Sequence, residues 1–129
     1  MTTPHTTSTG HRIEVHPGTQ HVRIEIDGEL IADSRRPLVL EETRCPTRYY
    51  LSRQDVRLER LSRTATHTHC PYKGDASYWS VRVGDRVVED AAWSYDDPLP
   101  EREDIRGHLC FYPSRVDAFL IDGKPLAHG

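Results

Sequence analysis

The densest set of reactive side chains lies at residues 66–74, which read Thr-His-Thr-His-Cys-Pro-Tyr-Lys-Gly. Two imidazoles, a thiol, a phenol and an ammonium fall within nine positions. Pro71 has a fixed φ and Gly74 has free backbone, so the pair predicts a bend that displays Tyr72 and Lys73 from a rigid loop. Lys73 close to Cys70 would favour a thiolate. A thiolate nucleophile also needs a base and an oxyanion site, and the spacing supplies neither. The competing reading makes Cys70 a small buried apolar residue and Lys73 a solvated turn residue.

His67 and His69 are two apart, so on a strand they share a face. They make half of a metal site. The remaining ligands would have to come from positions such as Glu41 or Cys110, and no CxxC pair is present, so no bound metal is expected. Arg35 and Arg36, Glu41, and the pair Tyr49-Tyr50 offer a guanidinium fork, a carboxylate and aromatic walls for a polar ligand. The alternative there is an ordinary salt bridge. Trp93 and Tyr95 share one strand face, and Phe111 and Tyr112 follow later. Such aromatics serve either as core or as a ligand platform. The chain has no glycine-rich phosphate loop, Walker motif or nucleophile elbow.

These side chains must be held by short strands. Val22, Ile24 and Ile26 alternate with Arg23 and Glu25, the period of a half-buried strand. Asp27-Gly28 then predicts a hairpin into Leu30-Ile31-Ala32. Further strands are expected at 13–15, 39–42, 48–51, 64–69, 77–83, 108–112 and 116–121, with 87–88 and 91–95 continuing the sheet. Asp96 to Pro98 and Pro100 read as loop. Ser52 to Asp55 resembles a capping box. One or two short helical turns are therefore expected near 53–61 and near 101–104. No helical pattern is long enough for a βαβ crossover. The fold class that follows is mainly β, a single antiparallel domain over 11–129 behind a flexible polar tail at 1–10.

Composition narrows the function. The 129 residues suit one domain and exclude a multidomain enzyme. Seventeen basic and twenty acidic residues give a net charge of −3, with no electrostatic reason to expect nucleic acid or an anionic membrane as partner. No run approaches the roughly 18–20 apolar residues of a membrane helix. The first ten residues lack an apolar signal region, and three cysteines do not make a disulfide framework, so a cytoplasmic location is expected.

Several pieces recur as a set: Ala-Asp-Ser-Arg-Arg at 32–36, Glu41, Tyr-Tyr at 49–50, Asp-Val at 55–56, Cys-Pro-Tyr-Lys-Gly at 70–74, Ala76 with Tyr78, Ala-Trp-Ser-Tyr at 92–95, Pro98, and Phe-Tyr at 111–112. Together they resemble the domain-of-unknown-function family 427, over about residues 12–122. The resemblance implies a mainly β domain similar to the tent-like Mss4-type fold. It also brings a nucleotidyltransferase label, which nothing in this chain supports: the Gly-Ser and paired-aspartate pattern of metal-dependent nucleotidyl transfer is missing. The positions matching the signature are Ser34, Arg35, Glu41, Tyr50, Cys70, Tyr72, Lys73, Tyr78, Trp93 and Tyr95, expected to line one cleft.

Three functions compete. The first is a module that binds a small polar or anionic metabolite in an aromatic-walled cleft, without a cofactor. The second is a small enzyme with Cys70 as nucleophile, or Glu41 as base with Lys73 as stabiliser. The third is a structural or interaction module whose edge strands pair two copies into a homodimer. In the first two, Lys73 should meet Glu41 on a concave face walled by Trp93 and Tyr95.

Overall fold

Alternating apolar residues become strands wherever an Asp-Gly or glycine turn reverses the chain. The computed structural model describes residues 10–126. The tail expected at 1–10 therefore lies outside the described residues, apart from an exposed Gly10. Eleven strands follow in order: β1 (Ile13–Pro17), β2 (Val22–Ile26), β3 (Glu29–Ser34), β4 (Leu38–Glu42), β5 (Arg48–Tyr50), β6 (Leu61–Cys70), β7 (Gly74–Val83), β8 (Arg86–Pro98), β9 (Leu109–Phe111), β10 (Ala118–Ile121) and β11 (Lys124–Pro125). They form three antiparallel sheets in the orders β1-β4-β5, β11-β10-β2-β3 and β6-β7-β8-β9. The first and third are tied by a bridge between Leu51 and Leu109, with reciprocal 2.8 Å hydrogen bonds.

The two Asp-Gly hairpins close as their residue types require. Asp27 and Gly28 have φ of 50° and 76°, and Asp122 and Gly123 have 53° and 82°. Both central positions are thus left-handed, the type I′ geometry that matches strand twist. The helical content is all 3-10: Arg53–Asp55, Leu58–Arg60, Pro100–Ile105 and Pro113–Arg115. Ser52 Oγ caps the first by accepting from the Gln54 amide at 3.3 Å. The expectation of short turns near 53–61 and 101–104 holds, and the one at Pro113–Arg115 is an addition. No helix among the described residues is long and apolar enough to cross a membrane.

Several boundaries differ from expectation: β6 begins at Leu61, β8 runs unbroken through Glu89 and Asp90, and β11 is an addition. Asp96 to Pro98, read as loop, continue β8, because Asp97 pairs with Asp75 and Pro98 with Gly74. Proline is tolerated there because β9 pairs only with Ala92, Trp93 and Ser94, which leaves this end of β8 an edge on that side.

The core divides into two clusters. One gathers Val22, Ile24, Ile26, Ile31, Leu51, Val81, Leu109 and Phe111. The other gathers Leu40, Tyr50, Trp93, Tyr95, Ile105 and Cys110. Residues 91–95 are all buried, so β8 is covered on both faces and runs between the clusters. Two ladders beside it carry bulges. The register slips between Arg63 and His67 in the β6–β7 ladder, and between Trp79 and Val81 in the β7–β8 ladder.

Candidate functional site

The pieces of the sequence signature meet as neighbours in the sheets. Gly74 pairs with Pro98, Tyr78 with Trp93, Trp93 with Cys110 and Ala92 with Phe111. The second cluster is thereby assembled from β7, β8 and β9, with β4 and β5 laid across it. Tyr50 and Trp93 meet edge-on with ring centroids 6.3 Å apart, and the indole Nε1–H donates to the Tyr50 hydroxyl at 3.1 Å. Burial pushes the Tyr50 and Tyr95 phenols well up, so both stay neutral.

A cleft of about 240 Å³ opens over this cluster. Trp93, Tyr95, Tyr50, Tyr78 and Tyr112 form its walls, and Lys73, Glu42 and Arg48 bring charge to it. Lys73 is only 8 % exposed, because the turn after Cys70 closes with its own amide on the Cys70 carbonyl at 3.2 Å. Its Nζ donates to Glu42 Oε1 at 2.5 Å, and His11 Nε2 lies 2.9 Å from Glu42 Oε2. Both oxygens of that carboxylate are therefore engaged. Arg48 takes a different position. Its guanidinium carbon sits 5.2 Å from the Trp93 ring centroid and 5.8 Å from that of Tyr112. Among the described residues its Nη1 is buried with no hydrogen-bond partner.

Five of the ten expected lining residues are brought together here: Tyr50, Lys73, Tyr78, Trp93 and Tyr95. Five are not. Glu41 is the main correction. Its side chain is 55 % exposed and lies 3.5 Å from His16 Nε2, since successive residues of β4 face opposite ways, and Glu42 takes the place beside Lys73. Ser34 and Arg35 also lie elsewhere. Ser34 Oγ donates to Asp55 Oδ2 at 2.8 Å and accepts the Arg36 amide at 3.2 Å, while Arg36 Nε donates to Asp55 at 3.2 Å. That part of the signature is a joint fastening β3 to residues 52–56, next to a bridge between Ala32 and Val56. Arg35 is exposed. Tyr72 stacks on His11 at 4.0 Å outside the cleft. Cys70 packs against the aromatic cluster without facing the opening.

Sequence reasoning missed Glu42, Arg48 and Cys45, and named Tyr112 among the aromatics without placing it in the cleft. For Arg48 a signal existed: it precedes the tyrosine pair by one residue and Tyr50 by two, so it shares a face with Tyr50. The thiols divide by depth. Cys45 is exposed at the cleft rim, while Cys110 is fully buried and its thiol is pushed up to about 12 by that burial. His69 Nδ1 pairs with Asp75 at 2.7 Å, and His67 is exposed. Among the described residues, no three His, Cys, Asp or Glu side chains are grouped to hold a metal.

The deciding comparison is a family model, described as "Domain of unknown function (DUF427)", that matches residues 14–122. The chain belongs to this family. The match spans every strand that builds the cleft, from β4 to β9. No curated protein matches the chain. The resemblance drawn from the Cys-Pro-Tyr-Lys-Gly and Ala-Trp-Ser-Tyr motifs thus named the right DUF427 family.

Proposed function

We propose that the cleft binds a small metabolite through an anionic group, a carboxylate or a phosphate, anchored by Arg48. The observation that carries this reading is the state of Arg48. Lys73 is neutralised by Glu42, whereas Arg48 presents a positive charge between two aromatic rings with a buried, unpartnered Nη1. A buried donor without a partner costs about 1–3 kcal/mol, so a fold retains one where a ligand completes it. The planar guanidinium suits bidentate contact with carboxylate or phosphate. Tyr50, Trp93 and Tyr112 wall the place where that anion would lie, which excludes water and strengthens the contact. The cleft volume is below the roughly 300–1,000 Å³ of drug-sized sites, so it accommodates an anionic group with a few further atoms.

The experiment is thermal denaturation of the full chain with inorganic phosphate, acetate or citrate, beside Arg48→Met. A ligand at 100 times its dissociation constant stabilises by about 2.7 kcal/mol, read as a rise of several degrees. Wild type should gain and Arg48→Met should not. The unliganded Arg48→Met protein should match or exceed the wild type in stability, because it removes an unmet donor while keeping an apolar stem. An equal response of both proteins, or no response to any anion, would overturn the reading.

A further inference from the structure

We propose that the cleft continues into a second compartment that takes a neutral polyhydroxylated group, so that the full ligand is a sugar acid or a sugar phosphate. This rests on the anion reading of Arg48 and extends it along the wall of the same cleft.

The second compartment has a volume of about 480 Å³ and shares Tyr78 and Tyr112 with the first. Both compartments together reach the size of an ordinary metabolite site. Every residue lining the second carries a hydroxyl, a carboxylate or a guanidinium: Thr66, Thr68, Ser114 and the two tyrosines, with Asp90 and Arg115. Asp90 and Arg115 balance in charge, so this end does not call for a second anion. Closely spaced donors and acceptors are what a run of ligand hydroxyls requires, since each hydroxyl both gives and accepts. The Tyr78 and Thr68 hydroxyls are 2.9 Å apart. The Tyr112 phenol, pushed up to about 12 by burial and then by hydrogen bonding to Tyr78, remains a donor at neutral pH.

The compartment is built by the two bulges. On β6 the extra residues carry Thr64 and Thr66, and on β8 they carry Asp90 at φ 49°. The two threonine hydroxyls donate to separate oxygens of the Asp90 carboxylate at 2.7 and 2.8 Å, and Ser80 Oγ accepts the Asp90 amide at 3.2 Å. A carboxylate has about four lone-pair sites, so Asp90 keeps capacity to accept from a ligand while held in place. Aspartate is among the few residues that adopt such a φ at low cost, and bulges of this kind re-aim side chains next to sites.

The test is isothermal titration of the full chain with glucose-6-phosphate, glucuronate, inorganic phosphate and glucose. Ser114→Phe fills the compartment from an exposed position, and Thr68→Val removes one exposed hydroxyl. The sugar-bearing anions should bind at least about tenfold tighter than inorganic phosphate, a difference of 1.4 kcal/mol. Ser114→Phe should erase that advantage while leaving phosphate affinity unchanged, and Thr68→Val should reduce it. Whichever of glucuronate and glucose-6-phosphate binds tighter identifies the anionic group. Phosphate binding that depends on Arg48 but gains nothing from the sugar would overturn this inference and leave the anion reading standing. Glucose binding as tight as that of glucose-6-phosphate and glucuronate, lost in Ser114→Phe and with no binding of inorganic phosphate, would support the compartment and overturn the anion reading. Absence of binding by all four would overturn both.

Discussion

Lys73 Nζ and Glu42 Oε1 lie 2.5 Å apart with both side chains about nine-tenths buried. The contact joins the turn between β6 and β7 to the end of β4, so it links the third sheet to the first. Glu42 also meets His11, which stacks on Tyr72 of the same turn. One carboxylate thus gathers the chain before β1, the end of β4 and the signature turn on the cleft's rim.

Replacing Glu42 by Gln should destabilise the protein by about 3 kcal/mol, because it strands a buried ammonium. Glu41→Gln, one residue away and exposed, should stay within about 0.5 kcal/mol of wild type. The double change Lys73→Met with Glu42→Leu should recover most of the loss, since an apolar pair of similar volume tolerates that burial. Urea titrations of the four proteins check this. Equal losses from Glu41→Gln and Glu42→Gln would contradict it.

Gly74 has φ 116°, and a Cβ there would stand 2.9 Å from the Pro98 Cα and 3.1 Å from the Asp97 carbonyl oxygen. Both neighbours are backbone, so neither can swing aside. The close approach lets the Leu99 amide reach the Lys73 carbonyl at 2.9 Å. Gly74→Ala should therefore cost at least about 1–3 kcal/mol, seen as a fall in melting temperature of several degrees. A variant melting with the wild type would mean that the ends of β7 and β8 part freely.

The strands were legible because their period and their Asp-Gly turns are local properties. The cleft was legible only in part, and β4 shows why. Val39 is 2 % exposed and Leu40 is 1 %, so the strand is buried on both faces before its two glutamates. The run Val-Leu-Glu-Glu has no alternation, and nothing local tells which carboxylate turns inward. Ser34 and Arg35 belong to the same sequence signature as Lys73, yet the former fastens β3 to Asp55. A signature collects residues that a fold requires together with residues that a ligand requires, and only packing separates them. The bulges beside the second compartment leave no period of their own, so Asp90 carries no mark in the sequence.

Burial raises the Cys110 thiol to about 12, against an ordinary thiol value near 8.5. Folding must therefore hold this group protonated while the unfolded chain ionises it. Its contribution is complete below about pH 8.5 and is lost as pH rises from there through about 12. Urea midpoints should fall across that window. Cys110→Ala costs packing at every pH but should flatten the alkaline decline by up to about 1.4 kcal/mol per pH unit. Parallel declines of the two proteins would assign the loss to the buried tyrosines instead.

The acid limb should be shaped by Asp96. Arg53 and Arg63 lie over the Trp79 ring, 5.2 and 4.7 Å from its centroid. Both reach the same carboxylate, at 3.0 and 2.6 Å, while Trp79 Nε1–H donates to Ser94 Oγ, which donates to Asp96 at 3.0 Å. Burial raises this carboxyl, but the hydrogen bonds from Arg63 and Ser94 and the two guanidinium charges together hold it below the usual carboxylate range. A depressed folded value stabilises the protein above the unfolded value, near 3.9, and the benefit drains away as pH falls below that point. Asp96→Asn should cost about 1–2 kcal/mol at neutral pH, more than an exposed pair and less than a buried one. The gap between variant and wild type should narrow below about pH 4, because protonation removes from the wild type the charge that the variant already lacks. Added salt should narrow it less than it would for a surface pair, since the tryptophan shields one side of the cluster. Urea unfolding of both proteins from pH 7 down to about pH 2.5 measures the gap directly. A gap that stays constant through that range would mean the carboxylate contributes by shape rather than by charge.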